Sequence, residues 1–579
     1  MKWAVSIYYE AVSVLRYRKT RIRVNATTST KEFLLSDQTQ SSSSNEDEVV
    51  EGIPAPEGPT DLIDTDYVIG QDNIQTSKFG IDMDLHGKVF MVSSLVVLFF
   101  VIITLALPEQ MGPVFNGMRG WLTGNLSWVF LFAANVFVLV TVVLIFTPLG
   151  KVRLGGPEAT PDFSYFGWFA MLFAAGMGIG LMFYGVAEPL THFSTALDGT
   201  SGAPLSGAQG DDRGAISLSM AATIFHWGLH PWGTYAVVAL ALALFSYNKG
   251  LPLTMRSIFY PILGERIWGW PGHVIDILAV FATLFGLATS LGLGATQASS
   301  GLHYLFDTPN NNVTMVILIM GITAVALGSV VAGVDKGVQR LSMLNMGLAF
   351  LLLLFVIIVG PTLMIATGFF ENLLSYATHL PALSNPFGRE DAGFVEGWTA
   401  FYWAWWISWS PFVGMFIARV SRGRTVREFL TAVLLVPMLV SVLWMTAFGG
   451  AAIEQYLSGF EGVADAAVEL QLFEMLGQLP LSSITSFVGI VLVMVFFITS
   501  SDSGSLVIDA ITAGGKVDAP RSQRIFWALI EGAIAIALLL GGGLEALQAA
   551  VLITGLPFAL VLLVGCYAIV KGLLSEPRP

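Results

Sequence analysis

The sequence is short of cysteine and of charge. Among 579 residues there is one cysteine, Cys566, and only 12% are Asp, Glu, Lys or Arg, where a soluble protein carries about 25%. One cysteine excludes an internal disulfide and a thiolate metal cluster. So little charge cannot cover the surface of a soluble enzyme, a nucleic-acid-binding protein or a secreted disulfide scaffold. Since 54% of the residues are hydrophobic and the mean hydropathy is +0.71, the composition indicates a polytopic membrane protein.

The first 85 residues differ from the rest. The first 24 are basic, and Glu10 interrupts their apolar stretch, so they do not form a signal peptide. Between Glu32 and Ser77 there is no Lys or Arg, whereas eleven acids occur among Ser, Gln, Pro and Gly. This composition favours a disordered tail over residues 1–85, with a folded domain as the alternative.

Long apolar runs fill the remainder of the chain, and each has a length that spans a bilayer. A shorter stretch, 369–380, is typical of an interfacial helix. The twelve predicted spans are 88–108, 128–147, 164–186, 216–246, 272–299, 314–333, 343–366, 398–419, 427–450, 484–501, 524–541 and 546–571.

The basic residues between these spans indicate the orientation. With the N-terminus in the cytoplasm, the inner loops and C-terminus hold sixteen Lys and Arg and the outer loops hold three, Arg119, Arg213 and Arg389. Cytoplasmic loops of membrane proteins carry such an excess. The sequence therefore predicts twelve spans in the cell (plasma) membrane with both termini in the cytoplasm.

The third span contains the run Ala174-Ala-Gly-Met-Gly-Ile-Gly180. Each glycine lowers helix stability by about 1 kcal/mol relative to alanine, so we expect a locally unwound segment at mid-membrane. Freed carbonyls there could coordinate a cation and freed N–H groups could hold a carboxylate. Tight packing of small residues is the alternative.

The eighth span contains four of the fifteen tryptophans within seven residues, from Trp403 to Trp409. The spacing of Tyr402, Trp406 and Trp409 predicts that they share one helix face, and we expect Ser408, Ser410 and Pro411 to interrupt the helix. The alternative is an aromatic belt at the membrane surface.

The fourth span has a similar set, Trp227, Trp232 and Tyr235, which we expect to be bent by Pro231. Several indole faces around one point form a cage for a quaternary ammonium group. A neutral cage also avoids burying a carboxylate in the membrane. His226 and His230 lack a third metal ligand, so we interpret them as packed or hydrogen-bonded residues.

The tenth span ends in hydroxyl side chains, among them Thr499 and Ser500. Hydroxyls in a helix commonly bond to their own carbonyls, but hydroxyl and carbonyl oxygens are also ligands that a hard cation prefers. No nucleophile–base group or phosphate loop occurs, so an enzyme is not predicted.

Together these motifs resemble the betaine/carnitine/choline transporter family, over essentially all of residues 85–571. The most specific segment is WAWWISWSPFVGMFIARVSRGRTVREF, residues 403–429. The resemblance implies an all-α, leucine-transporter-like fold with two inverted five-helix repeats, and a homotrimer. The implied divisions are the tail 1–85, two N-terminal helices in 86–150, repeat one in 151–368, the interfacial helix and outer loop in 369–397, repeat two in 398–571, and a short C-terminus in 572–579.

The resemblance also implies the binding residues. For the solute they are Trp227, Trp232, Tyr235, Gly176, Met177, Gly178, Gly180, Trp403, Trp405, Trp406, Ser408 and Trp409. For one sodium ion they are the carbonyls of Ala174, Met177 and Phe496 and the hydroxyls of Thr499 and Ser500.

Two departures from the family pattern stand out. A second sodium would lie near Thr283 and Phe412, but Leu287 stands where a second hydroxyl would be expected, and an apolar side chain cannot ligate a hard cation. Osmotically regulated relatives are expected to sense ions through a long basic C-terminal helix, and the eight residues after Lys571 do not predict one, so we do not expect regulation by that route. Gly180 stands where choline-preferring relatives would carry Asp, which favours a zwitterionic solute.

The predicted function is therefore sodium-coupled secondary active uptake of a compatible solute of the glycine betaine, ectoine or proline class, serving osmoprotection. Its partners are the solute, sodium and the lipid bilayer, with no nucleic acid and no cofactor other than the coupling ion. The alternatives are a sodium-independent exchanger or proton symporter of carnitine or choline, a mechanosensitive or ligand-gated channel, and an intramembrane enzyme.

Overall fold

The chain folds as a set of long helices in a computed structural model that describes residues 53–78, 81–176, 178–332, 335–516 and 519–577. A helix satisfies its backbone N–H and C=O groups internally, which lipid cannot do. The longer helices are α1 (Gly87–Ala106), α2 (Pro108–Phe146), α3 (Tyr165–Gly176), α4 (Ile179–Asp198), α5 (Asp212–Trp227), α6 (Leu229–Ala243), α7 (Trp270–Phe306), α8 (Asn312–Ala332), α9 (Asp335–Val359), α10 (Thr362–Leu383), α11 (Ala400–Val420), α12 (Val426–Leu457), α13 (Ser482–Thr512) and α14 (Arg521–Ser575).

Every predicted span falls on one of these helices or on a broken pair of them. Within the described residues, nine helices are long and apolar enough to cross a membrane, or ten if the bent pair α3–α4 is one span. The all-α membrane fold is thus confirmed, while the count of twelve stays a prediction.

Three breaks interrupt the helical course. Helices α3 and α4 are bent by 64°, and Gly178 between them is fully extended. Helices α5 and α6 are separated at Gly228, three residues before the proline that the sequence predicted to bend this span. Helix α14 is kinked at Gly542 and Gly543, between the predicted eleventh and twelfth spans. The unwinding predicted for the third span is therefore observed.

The interruption predicted for the eighth span is wrong, because α11 runs unbroken through Pro411. Proline has no N–H to donate to the carbonyl four residues earlier, that of Ile407. The Ser410 hydroxyl donates to this carbonyl instead, at 2.7 Å. The serine that was expected to disrupt the helix thus replaces its missing hydrogen bond.

Helix α10 contains the stretch 369–380 that was predicted to lie at the membrane surface. The helix is longer than this stretch and packs against α5 and α12. Its Tyr376 is buried, and the Tyr376 hydroxyl accepts a hydrogen bond from the Leu229 N–H at 3.3 Å. Helix α10 therefore packs beside the break between α5 and α6.

The second half of the segment predicted to be disordered is ordered. Residues 53–78 and 81–86, which we call the N-terminal strap, include the antiparallel strands β1 (Asn73–Lys78) and β2 (Ile81–His86). Residues 1–52 lie outside the described part of the chain. Composition alone favoured disorder because the strap is acidic, but three of its acids, Glu57, Asp61 and Asp84, pair with basic residues elsewhere in the fold.

Those partners belong to four different connections between helices. The strap therefore shows that the loops after α2, α6, α11 and α13 share one side of the molecule, as alternating spans require. The contacts are the Glu57 N–H to the Gly155 carbonyl at 2.8 Å, Glu57 to Arg422 at 2.5 Å, Asp61 to Lys249 at 2.8 Å, the stacked rings of Tyr67 and Trp268 at 3.9 Å, and Asp84 to Lys516 at 2.6 Å.

Candidate functional site

An aromatic-lined cavity lies where the breaks in α3–α4 and α5–α6 meet α11. We call it the aromatic cavity; it encloses about 610 Å³ of empty space, counting the part open to solvent. Its wall combines aromatic rings with a few polar groups, which is typical of sites for small molecules in proteins.

Nine of the residues predicted to bind the solute line the aromatic cavity. Trp403 and Ser408 do not line it, and Met177 lies outside the described residues. The nine are Gly176, Gly178, Gly180, Trp227, Trp232, Tyr235, Trp405, Trp406 and Trp409.

The two residues that do not line the cavity lie on other faces of α11. The Trp403 ring stacks on His230 at 5.2 Å and meets Phe225 edge-on at 5.0 Å. Ser408 is fully buried and faces Gly286 of α7. Both point away from the cavity because each step along a helix turns the side chain by about 100°, which places positions 403 and 408 off the face shared by Trp405, Trp406 and Trp409.

The cavity also has lining residues that the sequence analysis missed. Ser290 on α7 and Ser441 on α12 each bring a hydroxyl to it, and Ile179 and Leu181 lie in the first turn of α4. Nothing in the local sequence marks the two serines, since α7 and α12 read as ordinary apolar spans. Only the packing of these helices beside the break reveals them.

The break itself presents backbone groups of both polarities. The last residues of α3 and the first turn of α4 line the cavity. Carbonyls at a helix C-terminus attract cations, and N–H groups at an N-terminus attract anions. The arrangement suits a molecule that carries both charges.

The indole N–H groups of four cage tryptophans are bound to protein acceptors. Trp405 donates to the Ser290 hydroxyl at 3.1 Å, and Trp409 donates to the Gly286 carbonyl at 3.0 Å. Trp406 donates to the His226 carbonyl near the C-terminal end of α5, and Trp227 donates to the Glu188 carboxylate of α4. These bonds fix the ring orientations before any ligand arrives, which reduces the entropy lost on binding.

Tyr402 occupies a different place from the one predicted. It does not line the aromatic cavity, and its hydroxyl donates to the Glu188 carboxylate at 2.5 Å. The i, i+4, i+7 spacing correctly predicted that Trp406 and Trp409 face one cavity. Tyr402 lies nearer the N-terminal end of α11, and its hydroxyl points to Glu188 and not into the cavity.

Glu188 is the main residue that the sequence analysis missed. It is fully buried in α4, and its carboxylate accepts from Trp227 at 2.6 Å and from His226 at 2.6 Å as well as from Tyr402. The expectation that the cage region avoids a buried carboxylate is therefore wrong. His226 and His230 are hydrogen-bonded, as expected, because the second contacts Asn135 at 2.9 Å.

Glu188, His192 and His226 are also the described residues that could hold a metal ion by their composition. The 2.6 Å between the Glu188 and His226 atoms is a hydrogen-bond distance. Two ligands of one tetrahedral zinc ion, each at about 2.1 Å from it, lie about 3.4 Å apart. The geometry thus fits a direct hydrogen bond better than a shared metal ion.

A second cavity adjoins the first, and we call it the hydroxyl-lined cavity. It contains about 870 Å³ of empty space and shares Ala175, Trp409, Val413 and Ser500 with the aromatic cavity. Its lining includes four of the residues predicted to bind sodium, namely Ala174, Phe496, Thr499 and Ser500.

The predicted sodium ligands in this cavity belong to two helices: Ala174 is in α3, and Phe496, Thr499 and Ser500 are in α13. The Thr499 hydroxyl donates to the carbonyls of Val495 and Phe496, at 3.0 and 3.1 Å. A hydroxyl that donates in this way keeps lone pairs with which it can accept or ligate. The residues therefore offer a hard cation an oxygen-rich wall next to the aromatic cavity.

The region of the possible second ion is less suitable. The Thr283 hydroxyl donates to the Ala279 carbonyl at 2.8 Å, and Leu287 is buried against Gly504 of α13. A leucine packed so closely leaves no room for a ligating group one turn from Thr283.

Comparisons with known proteins agree with this architecture. The sequence profile of the betaine/carnitine/choline family transporters matches residues 88–578. A glycine betaine/proline/choline transporter of Vibrio parahaemolyticus is 62% identical over 91% of this chain and 97% of its own length. A glycine betaine transporter of the same organism is 53% identical over 88% of this chain and 97% of its own.

A third relative is less similar in sequence. The glycine betaine transporter of Bacillus subtilis is 42% identical over 81% of this chain and 91% of its own length. The family profile covers the helical region from α1 to α14, including the residues that line both cavities.

Proposed function

The chain belongs to the betaine/carnitine/choline family of transporters, and from this premise we propose that it takes up a zwitterionic compatible solute by sodium-coupled alternating access. The protein is a multi-pass membrane transporter and not an enzyme. Glycine betaine is the first solute to test, since it appears in the names of the relatives above; proline and ectoine belong to the same class.

The main observation that supports this proposal is the aromatic cavity. Rings from α5, α6 and α11 surround a space that adjoins the break between α3 and α4. A quaternary ammonium group is attracted to indole faces by about 0.5–2 kcal/mol for each ring. The solute's carboxylate would then take the free N–H groups at the start of α4, so that both ends of a zwitterion are bound.

Sodium coupling is supported by the adjacent oxygen ligands. Ser500 borders both cavities, so an ion held by Thr499, Ser500 and the end of α3 would brace the wall of the solute site. Binding of either ligand would then order the segment that the other needs, which links their affinities reciprocally.

The two adjoining cavities support alternating access. Trp409 and Val413 of α11 lie on their common boundary. In the proposed cycle the solute passes from the aromatic cavity to the hydroxyl-lined cavity when the bundle that contains α3 and α11 rocks against the remaining helices. The strap side would face the cytoplasm, and the homotrimer and the plasma membrane location are part of the same proposal.

Uptake into proteoliposomes tests this function. We expect accumulation of radiolabelled glycine betaine when an inward sodium gradient is imposed, and little accumulation with potassium in its place. The double variant Thr499→Ala plus Ser500→Ala should raise the sodium concentration for half-maximal uptake by about tenfold or more, because it removes both side-chain ligands.

The contrary results are specific. Sodium-independent uptake that is unchanged in the double variant would refute the coupling. Uptake driven by a proton gradient alone would instead support the alternative proton symporter. The buried Glu188–His226 pair is the structural reason to consider that alternative.

A further inference from the structure

We propose that Glu188 is a positioning residue for solute recognition: it holds the cage ring of Trp227 in place and adds negative charge behind the cage. The proposal rests on the proposed function, because it concerns the same solute site. Glu188 itself does not line the aromatic cavity, so it would act through residues that do.

The carboxylate joins three helices at one point. It belongs to α4, and it accepts hydrogen bonds on one oxygen from Trp227 of α5 at 2.6 Å and from Tyr402 of α11 at 2.5 Å. Its other oxygen bonds to His226 Nδ1 at 2.6 Å. All three helices contribute walls of the aromatic cavity, so this one group fixes their relative positions.

The number of donors indicates an ionised carboxylate. A Trp N–H and a Tyr O–H both converge on Oε2, and the ring nitrogen of His226 meets Oε1. An ionised carboxylate only accepts hydrogen bonds, whereas a protonated acid would need an acceptor of its own. Hydrogen bonds to a buried charge are the strong kind, which suits a group that must orient other side chains.

Trp227 is held between Glu188 and the glycine at the start of α4. Its Nε1 contacts the carboxylate, and the far edge of its ring lies against Gly180, where a Cβ atom would come within 2.7 Å of Cη2. The indole cannot tilt toward Gly180 without a clash or away from it without breaking the bond. Glu188 therefore sets the angle at which this ring faces the solute.

The same network reaches a second cage ring. His226 bonds to Glu188 through Nδ1, contacts the Thr399 hydroxyl through Nε2 at 3.0 Å and stacks on Tyr402 at 4.6 Å. The backbone carbonyl of His226 accepts the Trp406 indole N–H at 2.9 Å. Displacing His226 would thus also turn Trp406.

The charge of Glu188 also acts at a distance. Trp227 both lines the cavity and bonds to the carboxylate, and Glu188 and His226 are fully buried, so solvent screens the charge weakly. A hydrogen bond from the indole N–H to an anion also polarises the ring. Both effects favour binding of a cationic head group in the cavity. Because Glu188 does not contact the head group directly, it does not form an ion pair that would slow release of the solute.

Substitution of Glu188 provides the test. Glu188→Gln keeps the size but presents an NH₂ group to donors and removes the charge. We expect the KM for glycine betaine uptake to rise about tenfold or more, with the maximal rate changed less than about threefold. Direct binding, followed by tryptophan fluorescence, should weaken by the same factor as KM.

Two further variants test the residues through which Glu188 is expected to act. Trp227→Phe keeps a ring but removes the N–H, and Tyr402→Phe removes one donor; each should raise KM by about threefold or more. Combining Glu188→Gln with Trp227→Phe should give less than the product of the single effects, because both break the same bond.

The matched control is Glu531→Gln in α14. Glu531 is also a fully buried glutamate, it bonds to Ser501 at 3.3 Å, and it lines neither cavity. Its KM should stay within about twofold of wild type, because it lies outside the cage network.

The outcomes separate the inference from the proposed function. An unchanged KM in folded Glu188→Gln overturns the inference, and if that variant does not fold, an unchanged KM in both Trp227→Phe and Tyr402→Phe overturns it. Wild-type protein that neither binds nor takes up glycine betaine, proline or ectoine contradicts the proposed function instead.

Discussion

The space available at Gly180 depends on two indole rings. A Cβ atom there would lie 2.7 Å from Cη2 of Trp227 and 3.0 Å from Cη2 of Trp405, both too close for a methyl group. Gly180→Ala should therefore push the rings apart and raise the KM for glycine betaine by about tenfold, measured by initial uptake rates. Gly321→Ala in α8 adds a methyl group in open space and should have no effect; equal KM values in the two variants would contradict the prediction.

The Ser290 hydroxyl should contribute to binding through Trp405. It accepts the indole N–H at 3.1 Å, and Ser290→Ala leaves this donor unpaired in a dry cavity wall. A lost hydrogen bond of about 1 kcal/mol corresponds to a roughly fivefold weaker affinity for the solute. Isothermal titration with glycine betaine measures it, and Ser486→Ala, a buried hydroxyl away from both cavities, should match wild type.

At the scale of the helix, Ser410 and Pro411 form a coupled pair. Ser410→Ala should leave the Ile407 carbonyl without a donor and lower the free energy of unfolding by about 1–3 kcal/mol. Pro411→Ala restores a backbone N–H that can donate to the same carbonyl, so adding it to Ser410→Ala should recover much of the loss. Thermal unfolding in detergent compares the four proteins, and strictly additive effects would show that the hydroxyl does not replace the missing bond.

The spans could be predicted from sequence because their signal is local. A run such as 272–299 predicts α7 by its length and apolar composition alone, and the glycines around Gly178 predicted the break after α3. The continuity of α11 was not predictable in this way, since serine and proline usually mark helix ends and their compensation depends on one side-chain rotamer.

At the scale of the whole molecule, the N-terminal strap joins loops that are far apart in sequence through ion pairs. Raising the salt concentration from 0.1 to 1 M shortens the screening length from about 10 to about 3 Å. Hydrogen exchange in residues 53–78 should therefore become faster at high salt. In Asp61→Asn it should already be faster at low salt, because the bond to Lys249 is lost; the exposed Asp64→Asn serves as the control, and exchange that is insensitive to salt would contradict this role for the ion pairs.

The same contact gives the strap a dependence on pH. The hydrogen bond from the Lys249 ammonium lowers the pKa of Asp61 below its usual value of 3.8. A carboxyl with a lowered pKa in the folded state stabilises that state above its ordinary pKa, and the contribution is lost as the pH falls through the lowered value. The protection of the strap amides, that is, their exchange rate relative to the intrinsic rate of an unstructured amide at the same pH, should thus be high at neutral pH and fall below about pH 4.

The sequence by itself determined that this protein is a bundle of membrane helices with aromatic, glycine-rich and hydroxyl-rich segments, since composition and spacing within one segment are enough for that. It also identified nine of the residues that line the aromatic cavity. Only the tertiary structure decided which way each ring faces, that Trp403 and Tyr402 lie outside the cavity, and that the acidic strap is ordered. The physical reason is that a side chain's direction and partner depend on helices brought together from distant parts of the chain, as Glu188, Trp227 and Tyr402 are by a single carboxylate.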